Sequence, residues 1–239
     1  MGHLDYYRFQ AKARGVNSLE DVRRITKEKA YVYDRIVLPW LPEDKASPIT
    51  ELACGHGSFL GWLKSRDFSR VNGVDSSAEQ IAIARQVGAT VHQADVNQWL
   101  AGQSDASQQV IVGIDLIEHL SKDDFMALLE HSFRVLSLKG RLILRFPNGD
   151  SPLVGMNLFN DITHVWTYTP NCMNTLAQMH GFAGTEFKDE SCEAIRDSRW
   201  LKVPLARLSA ALLRGLLHAA TRERVAFLSP HLWACLTKG

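Results

Sequence analysis

The sequence holds no stretch of about 20 predominantly apolar residues, the length a membrane-spanning helix needs, although 46% of its 239 residues are hydrophobic. That composition is enough to bury a full core, so a disordered chain or a disulfide-stapled miniprotein is excluded. Cysteine is scarce: Cys54, Cys172, Cys192 and Cys235 lie far apart and form no C-x-x-C pair. Neither a zinc centre nor a thioredoxin-type redox site is suggested, and free thiols in a reducing cytosol fit best. Charge of one sign is also lacking, with 27 Lys+Arg against 26 Asp+Glu, whereas a dedicated nucleic-acid binder would be strongly basic. Met1 to Gln10 places Asp5, Tyr6, Tyr7 and Arg8 where an export signal needs an apolar run, and offers no Ser or Thr at position six for a myristoylation signal. A cytoplasmic location is expected. There is no internal repeat and no Gly/Ser linker to divide the chain.

What is present is an alternation of short β-branched or apolar runs with helix-length amphipathic stretches, the pattern of βαβ units and a parallel sheet. Strands are expected at Ile49 to Ala53, Arg70 to Val74, Thr90 to Gln93, Val110 to Ile114 and Arg141 to Phe146. Helices are expected at Phe59 to Ser65, Ala78 to Val87 and Lys122 to Leu136, the second capped by Ser76 or Ser77. Upstream, Ser18 to Leu38 reads as a helix closed by Pro39 and Pro42, able to cover a cleft or a partner. Downstream, Thr169 to Met179 reads as a helix ending at Gly181, followed by strands at Phe182 to Phe187 and His231 to Leu236. The expected organisation is one domain: a helical cap over 1–45, a core over 46–195, and a helical insertion over 196–230 before the last strand.

The most informative stretch is Ile49-Thr-Glu-Leu-Ala-Cys-Gly-His-Gly-Ser-Phe-Leu60, which reads strand, glycine turn, helix. Gly55 and Gly57 permit close backbone approach, and the helix that follows offers free N–H groups at its positive end. Asp75 lies 20 residues after Gly55, at the end of the next strand, where a carboxylate can accept from both hydroxyls of a ribose. A nicotinamide dinucleotide would want a small residue in the third position of its fingerprint, and Leu60 stands there.

These residues resemble the class I S-adenosylmethionine-dependent methyltransferases, whose first motif is an acidic residue followed by small-x-Gly-x-Gly, here Glu51, Ala53, Gly55 and Gly57. The resemblance continues in order. Asp75 with Ser76 matches the ribose-binding segment, Asp95 the acid that meets the adenine amino group, and Val96 the residue beside the ring. Ile114-Asp115-Leu-Ile-Glu118-His119-Leu120 matches a fourth-strand D-x-x-E-H segment, which brings Asp115 to the cofactor. Leu138-Lys139-Gly140-Arg141 matches the L-K-P-G-G turn, with Gly140 at the proline position and Arg141 at the next glycine. The resemblance implies a Rossmann-like seven-stranded sheet, mostly parallel with an antiparallel last strand and helices on both faces. It implies S-adenosylmethionine as cofactor, S-adenosylhomocysteine as product, and no metal.

Methyl transfer from a sulfonium needs an acceptor lone pair in line with the methyl carbon, so positioning and exclusion of water carry much of the catalysis. A hydroxyl acceptor gains from a general base, and histidine suits neutral pH. His119 follows the fourth strand, and His164 lies in the polar and aromatic segment Phe159 to Pro170 after the fifth. Either can be the base, and either can be structural. The Asp161-x-Thr163-His164 run and the Cys54-Gly-His-Gly-Ser-Phe-Leu60 form of the first motif resemble sugar-directed O-methyltransferases of bacterial cell-surface polysaccharide biosynthesis. That subgroup implies His164 as base and Asp161 as its orienter, acting on a sugar, glycan or lipid-linked acceptor. Two other readings stay open: a lipid-like acceptor such as a quinone precursor, or a non-catalytic subunit that binds the cofactor.

The near-zero net charge is a cancellation. Residues 196–239 carry eight Lys+Arg and two Asp+Glu, an excess of +6 against −5 for the rest. Pro204 can start a helix with Leu205, Leu208, Leu212 and Leu216 along one side and Arg207, Arg214, His218 and Arg222 opposite. Such a basic amphipathic helix, with Trp200 near it, could lie on anionic lipid through residues 200–224, pack on the core, or join a second copy in a homo-oligomer.

Overall fold

The computed structural model describes residues 16–190 and 202–239, apart from the side chains of 202–207. Cys192, Trp200 and the side chains of Leu205 and Arg207 lie outside the described residues. Seven strands form one sheet in the order β3-β2-β1-β4-β5-β7-β6. They are β1 Ile49–Leu52, β2 Val71–Asp75, β3 Thr90–Gln93, β4 Gln108–Ile114, β5 Leu136–Pro147, β6 Phe182–Asp189 and β7 His231–Lys238. Strands β1 to β5 pair in parallel, and β7 runs antiparallel to both its neighbours. The expected mixed sheet is therefore present, with six strands in one direction and the last reversed.

The helices are α1 Leu19–Ile36, α2 Ser58–Lys64, α3 Ala78–Ala84, α4 Val96–Ala101, α5 Lys122–Val135, α6 Gly155–Leu158, α7 Pro170–Met179 and α8 Lys202–Thr221. Caps set their starts, with the Ser18, Ser77, Ser121 and Thr169 side chains each accepting from a first-turn N–H. Two apolar clusters cover the two faces of the sheet. One packs α4, α5 and α7 residues such as Leu100, Phe125, Leu129 and Met173 on Leu52, Leu142 and Leu144. The other packs Tyr33 and Ile36 of α1 with Phe59, Trp62 and Leu63 of α2 on Ile49, Val112 and Ile143. Near-continuous burial of β1, β4 and the second half of β5 fits a parallel sheet with both faces covered.

The structure departs from the sequence reading in several places, among them the short helix α6. The turn expected before the fifth strand is absorbed into it: β5 begins at Leu136, Lys139 takes a left-handed φ of 60°, and the β4–β5 register shifts between Gln108 and Val110. A Cβ on Gly140 would lie 2.7 Å from the Ser137 carbonyl, which explains glycine at that bulge. Helix α4, which the sequence reading omits, is capped by Asp95, whose Oδ1 accepts from Asn97 N at 2.9 Å and Gln98 N at 3.0 Å. Helix α8 begins at Lys202, two residues before Pro204.

Arg145 of β5 joins the two halves of the sheet. Its Nε donates to Glu190 Oε1 at 2.6 Å and its Nη2 to Glu190 Oε2 at 3.1 Å, while Nη1 donates to Asp115 just past β4. Trp233 Nε1 of β7 donates to the same Glu190 at 2.7 Å. Arg145 and Glu190 side chains are only 14% and 16% exposed, so losing one partner strands a charge in a poor solvent. Arg145→Ala is expected to cost about 3–5 kcal/mol, read as a lower urea midpoint with an unchanged slope; an unchanged midpoint would contradict the role given to this cluster.

Candidate active site

All the strands β1 to β5 end at one edge of the sheet, and the order reverses between β1 and β4, where open α/β sheets bind ligands. A cavity of about 790 Å³ opens there. It is lined by Glu51, Ala53, Gly55, Asp75, Ser76, Asp95, Val96, Asp115, His119, Asp161 and His164, so eleven of the twelve residues expected from sequence meet in one space. Gly57 is set back from it. Gly57 is the N-cap of α2 with φ 83°, and a Cβ there would lie 3.1 Å from Ala84 of α3, so its contribution is to shape the turn.

The glycine turn is tied down by Asp75. Its Oδ2 accepts from Gly55 N and its Oδ1 from Ser77 N, both at 2.8 Å, so one carboxylate joins the β1 turn to the start of α3. Burial pushes the Asp75 carboxyl up, against the hydrogen bonds from Ser77 and Gly55. Ala53 and Asp115, at the exits of adjacent strands β1 and β4, both hold left-handed φ of 52°. Two such non-glycine residues store strain on the order of 1–3 kcal/mol each, a kind of strain that clusters at functional sites.

Glu51 is 4% exposed, lines the cavity, and its Oε2 is buried without a hydrogen-bond partner. Burial raises its pKa well above the carboxylate range, opposed by Lys29. A buried acceptor with an unfilled lone pair beside a glycine turn fits a ligand ammonium, and the methionyl amine of S-adenosylmethionine is one. Asp95 keeps Oδ1 for the α4 cap, and Val96 beside it is buried, an apolar neighbour for a planar ring.

The far wall holds the histidines. Thr163 Oγ1 donates to Asp161 Oδ1 at 2.6 Å, so its lone pair is what faces His119 Nδ1 at 2.9 Å. His164 Nδ1 lies 3.1 Å from the Leu158 carbonyl, which can only accept. His164 Nδ1 therefore carries a proton. The ring centroids are 4.6 Å apart. Burial, with the adjacent His164, lowers the His119 pKa, so that ring stays neutral below its usual range. The Leu158 carbonyl occupies the Nδ1 position where sequence placed Asp161 as orienter of His164; Asp161 reaches His119 through Thr163.

Sequence reasoning missed several lining residues. Lys29 and Tyr33 enter from α1, and burial lowers the Lys29 pKa. The residue as a whole is exposed. Asn157, Asn160 and His231 add polar groups to the acceptor side. Glu118, seen in sequence only as part of a motif, is 1% exposed in the same wall. The helical period of α1 signals a buried face but not which cleft its rim residues enter. For Asp115, which is 40% exposed, burial would raise the carboxyl, but Arg145, His231 and Lys29 outweigh it and hold it low.

Residues 49–140 match the family described as a methyltransferase domain. No curated protein matches the chain significantly. Among solved structures, a SAM-dependent methyltransferase from Archaeoglobus fulgidus superposes with TM-score 0.71 at 20% identity, covering 98% of this chain and 99% of that one. A possible histamine N-methyltransferase from Thermotoga maritima gives TM-score 0.63 at 17% identity, covering 90% and 92%. The magnesium protoporphyrin IX methyltransferase of Synechocystis, solved with bound SAM, gives TM-score 0.54 at 14% identity, covering 94% and 85%.

Asp75→Ala removes a charged acceptor and unties the turn. Loss of about 1.5–3 kcal/mol should weaken S-adenosylmethionine binding by roughly 10- to 100-fold in calorimetry; equal affinity would remove Asp75 from the cradle. Residues 49–140 are thus similar to a methyltransferase domain, and the strand order and tied glycine turn give the chain the fold of the SAM-dependent methyltransferase structures it superposes on.

Proposed function

We propose that the protein transfers a methyl group from S-adenosylmethionine to a hydroxyl of a sugar or glycan, as in cell-surface polysaccharide biosynthesis. The observation that carries this reading is the pair of histidine rings, His119 and His164, 4.6 Å apart in the cavity wall beside the cofactor cradle and each fixed through Nδ1. The cofactor is held by Glu51 at its amine, the Gly55 turn and Asp75 with Ser76 at its ribose, and Asp95 with Val96 at its base. When bound, it supplies a methyl group on a positive sulfur that an oxygen lone pair can take.

The chain supplies orientation and a proton acceptor. As the hydroxyl oxygen forms its bond to the methyl carbon, the carbon–sulfur bond breaks, and the hydroxyl proton passes to a histidine Nε2. His164 is the base in this reading, and His119, steadied by Thr163 and Asp161, shares the wall. Asn157, Asn160 and Asp161 line that side with groups able to bond several hydroxyls, which suits a polyhydroxylated acceptor.

The test is incubation with methyl-labelled cofactor and fractionated envelope glycans, lipids and small metabolites. Label in the glycan fraction is expected, with turnover lost in His164→Gln while cofactor binding persists. Label only in lipids would favour a quinone-like acceptor, and bound cofactor with no label in any fraction would favour an accessory subunit.

Helix α8 supports a second element of the reading, contact with the inner face of the cell membrane. Among the described residues no helix is long and apolar enough to cross a membrane. Yet Leu208, Leu212 and Leu216 are 60–68% exposed in a row, on a helix that also exposes Arg214 and His218. A basic helix with an uncovered leucine stripe suits anionic lipid and would bring the cleft to a lipid-linked acceptor. The protein should float with anionic liposomes, and a variant with all three leucines changed to Gln should not; equal recovery would remove the membrane contact.

A further inference from the structure

We propose that the chain between β5 and α7 forms an amphipathic lip that seats on a lipid surface and opens the acceptor side of the cavity toward it. Met156, Phe159, Ile162 and Val165 recur every three residues and are 55–84% exposed, with Trp166 beside them at 46%. The residues between them serve the other side: Asn157, Asn160, Asp161 and His164 line the cavity. One short segment thus turns polar groups inward and large apolar groups outward. Single exposed apolar residues are ordinary on a soluble protein, whereas a row of this kind marks an interaction surface.

The row is held out by its backbone. Leu153 N donates to Ser151 Oγ at 3.1 Å, Thr163 N to Asp161 Oδ1 at 2.9 Å and Val165 N to the Glu118 carbonyl at 2.7 Å, while Thr167 Oγ1 donates to the Pro147 carbonyl. A segment fastened at both ends and in the middle cannot fold its apolar side chains back onto the core. Their exposure is therefore built into the fold, and covering them from outside removes apolar surface from water at little ordering cost.

Three observations select lipid as the occupant. Lys122 Nζ lies 3.9 Å from the centroid of the Trp166 ring, and an indole paired with a cation on a long stem is the combination that settles at headgroup level. The base of the lip is joined to the chain leaving α8: Ser151 Oγ donates to the Leu228 carbonyl at 2.7 Å and Asn148 Nδ2 to the Phe227 carbonyl at 3.0 Å, while Arg214 Nη2 of α8 reaches the Ala226 carbonyl at 3.1 Å. The exposed Arg214, Arg222 and Arg224 are thereby tied to the same region, where they complement anionic headgroups. Finally, the apolar row borders a polar cavity, so an amphiphile meets both sides at once, its polar end in the cavity and its chain along the lip. A second copy of the chain would cover only the outer side. The inference extends the membrane contact ascribed to α8 to a separate surface, and the sugar part of the proposed acceptor is not needed for it.

The full chain is mixed with sedimentable vesicles of phosphatidylcholine and phosphatidylglycerol, with bromine on the acyl chains in one preparation. Binding is expected, with a partition coefficient about 10- to 100-fold lower when Phe159→Ser and Ile162→Ser are combined. Brominated chains should quench the fluorescence of the wild type more than that of Trp166→Phe. Because the altered side chains are exposed, both variants should keep the wild-type melting transition and S-adenosylmethionine affinity. Helix α8 is intact in both, so a double variant that binds vesicles as tightly as the wild type would overturn the lip and leave the α8 contact standing. No binding by the wild type, or a dimer in light scattering that the double variant abolishes while vesicle binding is unchanged, would also overturn it, the latter in favour of a second copy. Glycan labelling is assayed separately, so that its absence counts against the proposed acceptor and not against the lip.

Discussion

The Arg145 guanidinium is the constraint on which the two halves of this molecule depend. It sits near the carboxyl end of a buried strand, and a charge so placed persists only if anions surround it. Glu190, past β6, takes two of its nitrogens, Asp115 past β4 takes a third, and Trp233 of β7 completes Glu190. The antiparallel pair β6–β7 is thereby fixed in relation to the exits of the parallel strands. Asp115 belongs to both worlds, paired to the arginine behind it and open to the cleft in front. The position of the cofactor edge is in this sense inherited from an ion cluster beneath it.

The same economy appears at the front of the cleft. Asp75 is expected to bind a ribose, yet the folded chain already uses both its oxygens to hold Gly55 and Ser77. Carboxylate oxygens have several lone-pair directions, so one group can keep the turn in place and still meet a ligand. Asp161 behaves likewise, bonding Thr163 at backbone and hydroxyl and through it setting the His119 ring. Preorganisation of this kind moves the ordering cost from the binding step to the folding step.

Much of this was legible in the sequence, and the parts that were not share a physical reason. Strands β1 and β4 show as short apolar runs because both faces of the sheet are covered there, and the glycine turn with Asp75 is a local, fixed spacing. Asp95 and Val96 could be placed at the cleft by resemblance, but α4 is only six residues long, too short for a helical period to register. The early start of β5 was hidden because Lys139 adopts a left-handed conformation that sequence does not announce for lysine. Lys29, Tyr33 and the Arg145 cluster were missed because their roles come from contacts between elements distant in the chain. The Leu158 carbonyl beneath His164 is a backbone group, and no side-chain motif could have pointed to it.

The sheet order has a temporal side. Strand β6 borders only β7, and β7 is made after the whole of α8. At roughly 5–20 residues per second of synthesis, β6 waits a few seconds with both edges unpaired, and β5 waits longer with one. Strands β1 to β5 and their helices can meanwhile close the cofactor edge, whereas Glu190 and Trp233 reach Arg145 only when the last strand slides between its neighbours. On the ribosome the methyl-donor cradle is thus an early product, and the ion cluster that stiffens it is a late one.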